Sequence, residues 1–169
     1  MSRVVNLALR GFEFLWTLLT MALVGNMIAS AFSGNPSIIN YTMFVTVFSM
    51  LSLFYLIPTT LKSDFSFHPM LALGLDLLNT LFFLCGAIAL AAYLGVHSCG
   101  NSDYTHTNSI TNGAHDTAKR CHEAQASTAF LWFGFAAYAA STVMSGLEAR
   151  GGSTVNMRGI RRGPAMSQV

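Results

Sequence analysis

The side chains that could do chemistry are concentrated in one polar stretch, residues 97–123. It contains two of the three cysteines together with four histidines and three acids: Cys99, Cys121, His97, His106, His115, His122, Asp103, Asp116 and Glu123. Histidine, thiolate and carboxylate are common metal ligands, but the successive histidines are nine, nine and seven residues apart, which matches no compact ligand pattern. We therefore expect a hydrated loop and no metal site.

Motifs for catalysis or cofactor binding are missing from the sequence. It has no nucleophile elbow, no phosphate-binding loop, no HExxH and no paired-cysteine pattern. We predict that the chain is not an enzyme and carries no cofactor.

The composition indicates that lipid is the solvent. Apolar residues make up 53% of the 169 residues and charged residues only 9%, against about 25% in an average soluble domain. The mean hydropathy is +0.50. Seven acids and nine bases could not cover the surface of a water-soluble protein of this length. A net charge of +2 also gives no indication of a nucleic-acid partner.

Four apolar stretches free of Lys and Arg are each long enough to cross a bilayer. They cover residues 12–32, 41–61, 70–96 and 124–147. Such runs satisfy their backbone groups as helices, so we predict an all-α, four-helix transmembrane bundle over residues 1–147. Residues 97–123 form its long loop, and residues 148–169 form a tail. The first run ends in Ala29-Ser30-Ala31, which resembles a signal-peptidase site, but it is longer than a signal core, so we keep it as a span.

The distribution of basic residues predicts the orientation. If both termini are cytoplasmic, that side holds seven of the nine: Arg3, Arg10, Lys62, Arg150, Arg158, Arg161 and Arg162. The opposite side then holds Lys119 and Arg120. The positive-inside rule therefore favours an N-in, C-in topology.

The same topology bears on the cysteines. Cys99 and Cys121 lie near the two spans that the long loop connects, on the oxidising side, where thiols pair. We expect a Cys99–Cys121 disulfide, while Cys85, inside the third span, is a small packing residue.

Three polar residues fall at or near membrane depth. Glu13 follows Arg10 by three residues, so the two can pair on one helix face near the interface. Asp76 is a functional candidate because a charge in the membrane is costly, and Asn79, three residues on, could hydrogen-bond to it. A full crossing also fits between Leu77 and Val96, which would leave Asp76 at the interface or in a packing role. The sequence does not reveal a basic partner for it.

The tail contains a compact basic group. Arg158, Arg161 and Arg162 fall within five residues, close to the cytoplasmic leaflet on the predicted topology. They could bind anionic lipid, or they could only enforce the topology. The glycines of the tail, starting with Gly151 and Gly152, predict a flexible segment.

Several features together resemble the fungal non-classical export protein family of small MARVEL-domain tetraspan proteins. The segments that carry the resemblance are Leu75-Asp76-Leu77-Leu78-Asn79, Val96-His97-Ser98-Cys99, Arg120-Cys121-His122-Glu123-Ala124-Gln125-Ala126 and the end Ser167-Gln168-Val169. The resemblance implies residence in plasma-membrane domains called eisosomes, with their scaffold proteins as partners. It also implies a response to sphingolipid and a part in exporting proteins that lack signal peptides.

Two functions remain open from the sequence. The first is a membrane-organising protein that gathers or senses lipids and can associate with copies of itself. The alternative is an oligomeric transporter or export channel with Asp76, Asn79 and Asn26 along its path, which would need several copies because four helices enclose little more than their own side chains.

Overall fold

The protein is described here by a computed structural model, which covers residues 3–32, 34–61 and 69–159, with side chains over 4–32, 34–61 and 70–147. It contains five helices in these ranges. They are α1 (Arg3–Ala29), α2 (Ser37–Leu61), α3 (Pro69–Leu94), the short α4 (Ser102–Thr107) and α5 (Thr117–Gly159).

The predicted four-span, all-α fold is confirmed. The helical segments long and apolar enough to cross a membrane are Val4–Ala29, Ser37–Leu61, Met70–Leu94 and Thr117–Leu147. Two of them begin well before the hydropathy pattern indicates: α1 by nine residues and α5 by seven. The apolar runs begin only after Arg10 and Arg120, whereas α1 and α5 begin before them. The helices can include these arginines because each one is buried among hydrogen-bond acceptors.

The four long helices form a ring. Helix α1 packs on α2, α2 on α3, α3 on α5 and α5 on α1. One end of the bundle, called here the termini end, contains the first turns of α1, the first turns of α3 and the C-terminal half of α5. The α1–α2 connection and residues 95–116 meet at the opposite end, called here the loop end.

Aromatic packing closes the middle of the bundle. The Phe83 ring lies 5.2 Å from the Tyr138 ring, centroid to centroid, and both side chains are fully buried. Gly134 of α5 makes this contact possible, because a Cβ atom built on it would lie 2.4 Å from Phe83 Cε1. No side chain tolerates that distance, so α3 and α5 approach closely only with glycine at this position.

The loop predicted to be hydrated is a folded cap on the loop end. The side chain of Asn101 accepts hydrogen bonds from Asp103 N and Tyr104 N and so caps α4. Tyr104 Oη donates to the carbonyl of Leu94, and Asn108 Nδ2 donates to that of Tyr93, 2.9 Å away. These bonds tie the cap to the last turn of α3, and Ile110 is fully buried beneath it.

The C-terminal segment also differs from the prediction. The backbone of α5 stays helical through Gly151 and Gly152 up to Gly159, where a flexible segment was expected. Each helical glycine costs only about 1 kcal/mol, and extending an existing helix needs no new nucleus. Arg158 lies in this extension, while Arg161 and Arg162 lie outside the described residues.

Replacing Gly134 with alanine tests the contact between α3 and α5. We expect Gly134→Ala to lower the free energy of unfolding by about 1–3 kcal/mol, because the new methyl group must displace the Phe83 ring. Thermal unfolding of the purified protein in detergent measures the change. Gly25→Ala is the matched control, since nothing lies within 4 Å of a Cβ atom there and alanine favours the helix. Equal midpoints for both variants would contradict the packing argument.

Candidate functional site

A buried ionic cluster lies at the termini end of the bundle. Arg10 Nη1 is 2.6 Å from Asp76 Oδ1, and Arg10 Nη2 is 2.8 Å from Asp76 Oδ2. The same Nη1 atom is 2.9 Å from Glu13 Oε2. Asp76 and Glu13 are fully buried and Arg10 is 6% exposed. The two-pronged contact with Asp76 is the strongest geometry that an arginine–carboxylate pair adopts.

Helix α5 supplies the remaining partners of the two carboxylates. Ser145 Oγ donates to Asp76 Oδ2 at 2.7 Å, and Ser141 Oγ donates to Glu13 Oε1. Ser141 and Ser145 are four residues apart and so lie on one helix face. The cluster therefore joins α1, α3 and α5 through charged or charge-assisted hydrogen bonds.

The charge of the cluster does not sum to zero when every group is ionised. Two carboxylates face one guanidinium, which leaves one net negative charge inside the bundle. The hydroxyls of Ser141 and Ser145 act as donors to this excess charge, and burial makes each of those bonds stronger than it would be in water. Every carboxylate oxygen of Asp76 and Glu13 has a donor. This arrangement is suited to holding the three helices together.

The predicted contacts of the three polar residues have different outcomes in the structure. The pairing of Glu13 with Arg10 is present and is buried. Asp76 has the basic partner that the sequence did not reveal, 66 residues away in the chain. Asn79 does not bond to the Asp76 side chain, because its Nδ2 donates to the carbonyl of Leu75 at 2.9 Å. The Asn79 Oδ1 atom is buried without a partner.

A second polar layer connects α2 to the bundle. The hydroxyls of Thr17 and Ser49 lie 3.0 Å apart, and the Ser49 hydroxyl is also hydrogen-bonded to that of Tyr138. All three residues are fully buried. The ionic cluster joins α1, α3 and α5, and this hydroxyl layer joins α2 to α1 and α5, so buried polar contacts reach all four long helices.

The loop end is held by a covalent bond. Cys99 and Cys121 form a disulfide, with their Cα atoms 5.6 Å apart, which ties the segment after α3 to the first turns of α5. Cys85 is a free cysteine on an exposed face of α3, so the prediction that it packs inside the bundle is wrong. His97 stacks on Tyr104 and His115 packs against Phe32, and no group of three metal-ligating side chains occurs among residues 4–32, 34–61 and 70–147.

Arg120 is the central residue of the loop end, whereas the sequence indicates only one of two charges on that side and the first residue of a segment that resembles the family. It is 1% exposed. Its Nε donates to the carbonyl of Ile110 at 2.6 Å, Nη1 to that of Met27 at 2.7 Å and Nη2 to Asn35 Oδ1 at 3.0 Å. One side chain thus joins the cap, the end of α1 and the α1–α2 connection. Its place beside Cys121, in a segment that resembles the family, is the signal in the sequence that could have indicated this role.

The fold and its sites define a class: a tetraspan membrane protein whose buried ionic cluster joins its own helices. A family profile described as a membrane-associating domain, MARVEL, matches residues 3–144. The chain belongs to the MARVEL family.

Relatives give a narrower identification. The chain is 32% identical over 139 residues to non-classical export protein 2 of Saccharomyces cerevisiae, covering 81% of this chain and 77% of that protein. It is 33% identical over 149 residues to non-classical export protein 102 of Candida albicans, covering 88% and 85%. A Schizosaccharomyces pombe homologue of the former is 31% identical over 141 residues, covering 80% and 73%. The resemblance to non-classical export proteins is confirmed, and no solved structure matches the chain.

Removing the cation of the ionic cluster should lower the free energy of unfolding more than removing the charge of Asp76. Arg10→Gln leaves two buried carboxylates without a cation, so we expect a loss of about 3–5 kcal/mol in the free energy of unfolding. Asp76→Asn leaves Arg10 paired with Glu13, and the amide oxygen can still accept a hydrogen bond, so the loss should be smaller. Unfolding of purified variants in detergent measures both.

The matched control for these variants is Lys119→Gln. The Lys119 side chain is 60% exposed and its Nζ is 3.8 Å from Glu123 Oε1, so its removal should change stability by less than about 0.5 kcal/mol. A larger loss in Asp76→Asn than in Arg10→Gln would contradict this account.

Proposed function

We propose that this protein organises lipid and protein domains in the plasma membrane, with both termini in the cytoplasm. The observation that carries the proposal is the separation of polar and apolar groups in the bundle. The ionic cluster and the hydroxyl layer hold the buried charged groups and several buried hydroxyls in hydrogen bonds within the bundle. Large apolar side chains point outward on every long helix, among them Phe12, Leu51, Phe54, Ile88 and Val143. Such a surface meets lipid tails and other membrane helices rather than a solute.

The filled interior supports this proposal over a conduit through one bundle. Phe83 and Tyr138 occupy the middle, the Arg10 cluster occupies the termini end, and Arg120 occupies the loop end. A channel would therefore have to form between several copies. The carboxylates that could line a path are already hydrogen-bonded, which also supports a role without catalysis.

The names of the relatives link the family to non-classical export. We propose that this chain contributes to export through the membrane domains in which it resides, and not by passing cargo through its own helices. In the fungal plasma membrane these domains would be eisosomes, with their scaffold proteins as partners and sphingolipid as the lipid to which assembly responds. Self-association through the outward faces would concentrate the protein there.

The tail has its own place in this proposal. The backbone of α5 continues to Gly159 and carries Arg158 beyond the apolar span, followed in sequence by Arg161 and Arg162. Each arginine near an anionic leaflet contributes about 1 kcal/mol, weakened by salt. Three of them would bias the domain toward anionic lipid of the cytoplasmic leaflet, while the spans anchor the protein.

The orientation is tested by labelling single cysteines in intact cells. In a Cys85→Ala background, which keeps the disulfide, Asn112→Cys should react with a membrane-impermeant maleimide and Ser153→Cys should not. The expectation follows from the seven-to-two distribution of basic residues. Permeabilised cells are the control, in which both positions should react. Labelling of Ser153→Cys in sealed cells would show that the C-terminal end lies outside the cell and would contradict the predicted orientation.

The organising role is tested by imaging the fluorescently tagged protein in yeast. The parent should collect in stationary patches, and the triple variant Arg158→Gln, Arg161→Gln, Arg162→Gln should reach the plasma membrane but occupy the patches about half as much. The matched control is the triple change to lysine, which keeps the charge near the leaflet and should cluster like the parent.

Two results would count against the organising role. A uniform distribution of the parent protein would exclude domain residence. Patches that form normally, combined with ion or solute flux in proteoliposomes, would favour the channel instead. Equal clustering of the glutamine and lysine variants would remove the tail from the proposal and leave the bundle as the organising part.

A further inference from the structure

A polar pocket opens at the loop end of the bundle. It has a volume of about 270 Å³ and lies between the α1–α2 connection and the cap that follows α4. Its lining residues are Gly34, Asn35, Pro36, Ser109, Asn112 and Gly113. Because α1 ends at Ala29 and α2 begins at Ser37, the pocket lies at the level where the membrane spans end. Lipid headgroups occupy this level of a bilayer.

The walls of the pocket are held by the backbone. Phe32 N donates to the carbonyl of Gly113 at 3.0 Å, and Ala31 forms an isolated antiparallel bridge with Ala114. Gly34 has a φ of 86°, a conformation that glycine adopts without strain. The two walls are therefore joined directly to each other, and the pocket is part of the folded cap.

A buried positive charge lies behind the pocket. A Cβ atom built on Gly113 would be 3.5 Å from Cζ and from Nη2 of Arg120, so the guanidinium is separated from the pocket by little more than a glycine. Its three hydrogen bonds go to two carbonyl oxygens and one amide oxygen, all of them neutral. A buried charge with only neutral partners is costly.

The acids near Arg120 form their hydrogen bonds with other groups, and Glu123 attracts the guanidinium only through space. Glu123, one turn further along α5, accepts from Asn26 Nδ2 and lies 3.8 Å from Lys119 Nζ. Asp116 accepts from the backbone N–H of Lys119 at 2.8 Å. Among residues 4–32, 34–61 and 70–147, no carboxylate is within 4.0 Å of the Arg120 guanidinium. The pocket side is where a negative charge could still approach it.

We propose that this pocket binds the phosphate group of a lipid headgroup in the leaflet that faces the loop end. Asn35 uses its Oδ1 for Arg120, which leaves its Nδ2 group as a donor at the pocket wall. The hydroxyl of Ser109 and the amide of Asn112 are exposed at the rim and add further donors. The positive end of the α2 dipole favours an anion at the same place.

The charge decides between ligand classes. The amide and hydroxyl groups alone would suit a neutral polyol as well as a phosphate. Arg120 favours the anion, because its positive charge lies just behind Gly113 and attracts a negative charge through space in a medium of low dielectric constant. This inference deepens the proposed function by naming a lipid partner at the loop end, and it does not depend on which leaflet that end faces.

The test uses the full-length protein and counts retained lipids by native mass spectrometry. The protein is equilibrated with phosphatidylcholine containing either phosphatidylglycerol or a galactosyl diacylglycerol, which carries a neutral polyol headgroup. The parent should retain phosphatidylglycerol at least about tenfold better than the galactolipid. Asn112→Asp puts a negative charge at the rim and should weaken phosphatidylglycerol binding about tenfold.

The matched control is Ser102→Asp, which makes the same charge change on exposed α4 at the same end, outside the pocket lining. It should bind within about twofold of the parent. The tail arginines are common to all three proteins and so cancel when each variant is compared with the parent, which makes that comparison the test of the pocket. An intact disulfide and an unchanged unfolding midpoint show that each variant is folded.

Three outcomes would overturn the inference. Equal retention of the galactolipid would identify a polyol site. Equal effects of Asn112→Asp and Ser102→Asp would place the bound lipid elsewhere. Displacement of the lipid by millimolar glycerol phosphate or inorganic phosphate would identify a site for free anions. If binding fails while the parent still forms patches in cells, only the pocket is wrong; loss of the patches with binding intact would contradict the proposed function instead.

Discussion

The guanidinium of Arg10 must find negative charge inside the bundle, and the arrangement of the helices follows from that requirement. A charged side chain at this depth is tolerated only where other groups of the protein surround it. Asp76 of α3 and Glu13 of α1 take this role, and Ser141 and Ser145 of α5 complete their hydrogen bonding. Because the bonds are directional, they fix the rotation and height of three helices at once. Apolar packing in lipid fixes neither so firmly.

The two ends of the bundle solve the same problem with different chemistry. At the termini end a buried arginine is neutralised by carboxylates. At the loop end Arg120 is held by carbonyl and amide oxygens, and a disulfide closes the structure around it. The first arrangement is complete within the spans, while the second leaves positive charge beside a polar pocket. The loop end, and not the ionic cluster, is therefore the part of the bundle whose buried charge an anionic ligand could still approach.

The parts of the fold that depend on runs of similar residues could be predicted from the sequence. The four spans and their helical state follow from apolar length alone, and the spacing of Arg10 and Glu13 predicts their contact. The Arg10–Asp76 pair could not be predicted, because a hydropathy window treats Arg10 as the flank of a span and a separation of 66 residues has no local signature. Gly134 and Arg120 were missed for a related reason. Gly134 matters because of its contact with Phe83, and Arg120 because of its hydrogen bonds to Ile110 and Met27. These partners are distant in the sequence and meet only in the folded chain.

The spacing of the ionic cluster along the chain has a consequence for biosynthesis. Synthesis runs from the N-terminus, so Arg10 enters the membrane long before α3 delivers Asp76 and before α5 delivers its serines. During that interval its only charged partner in the cluster is Glu13, three residues away on the same helix. Glu13 therefore accompanies the arginine through insertion as well as in the finished bundle. The first span can wait in the bilayer as a nearly neutral unit until the third one arrives.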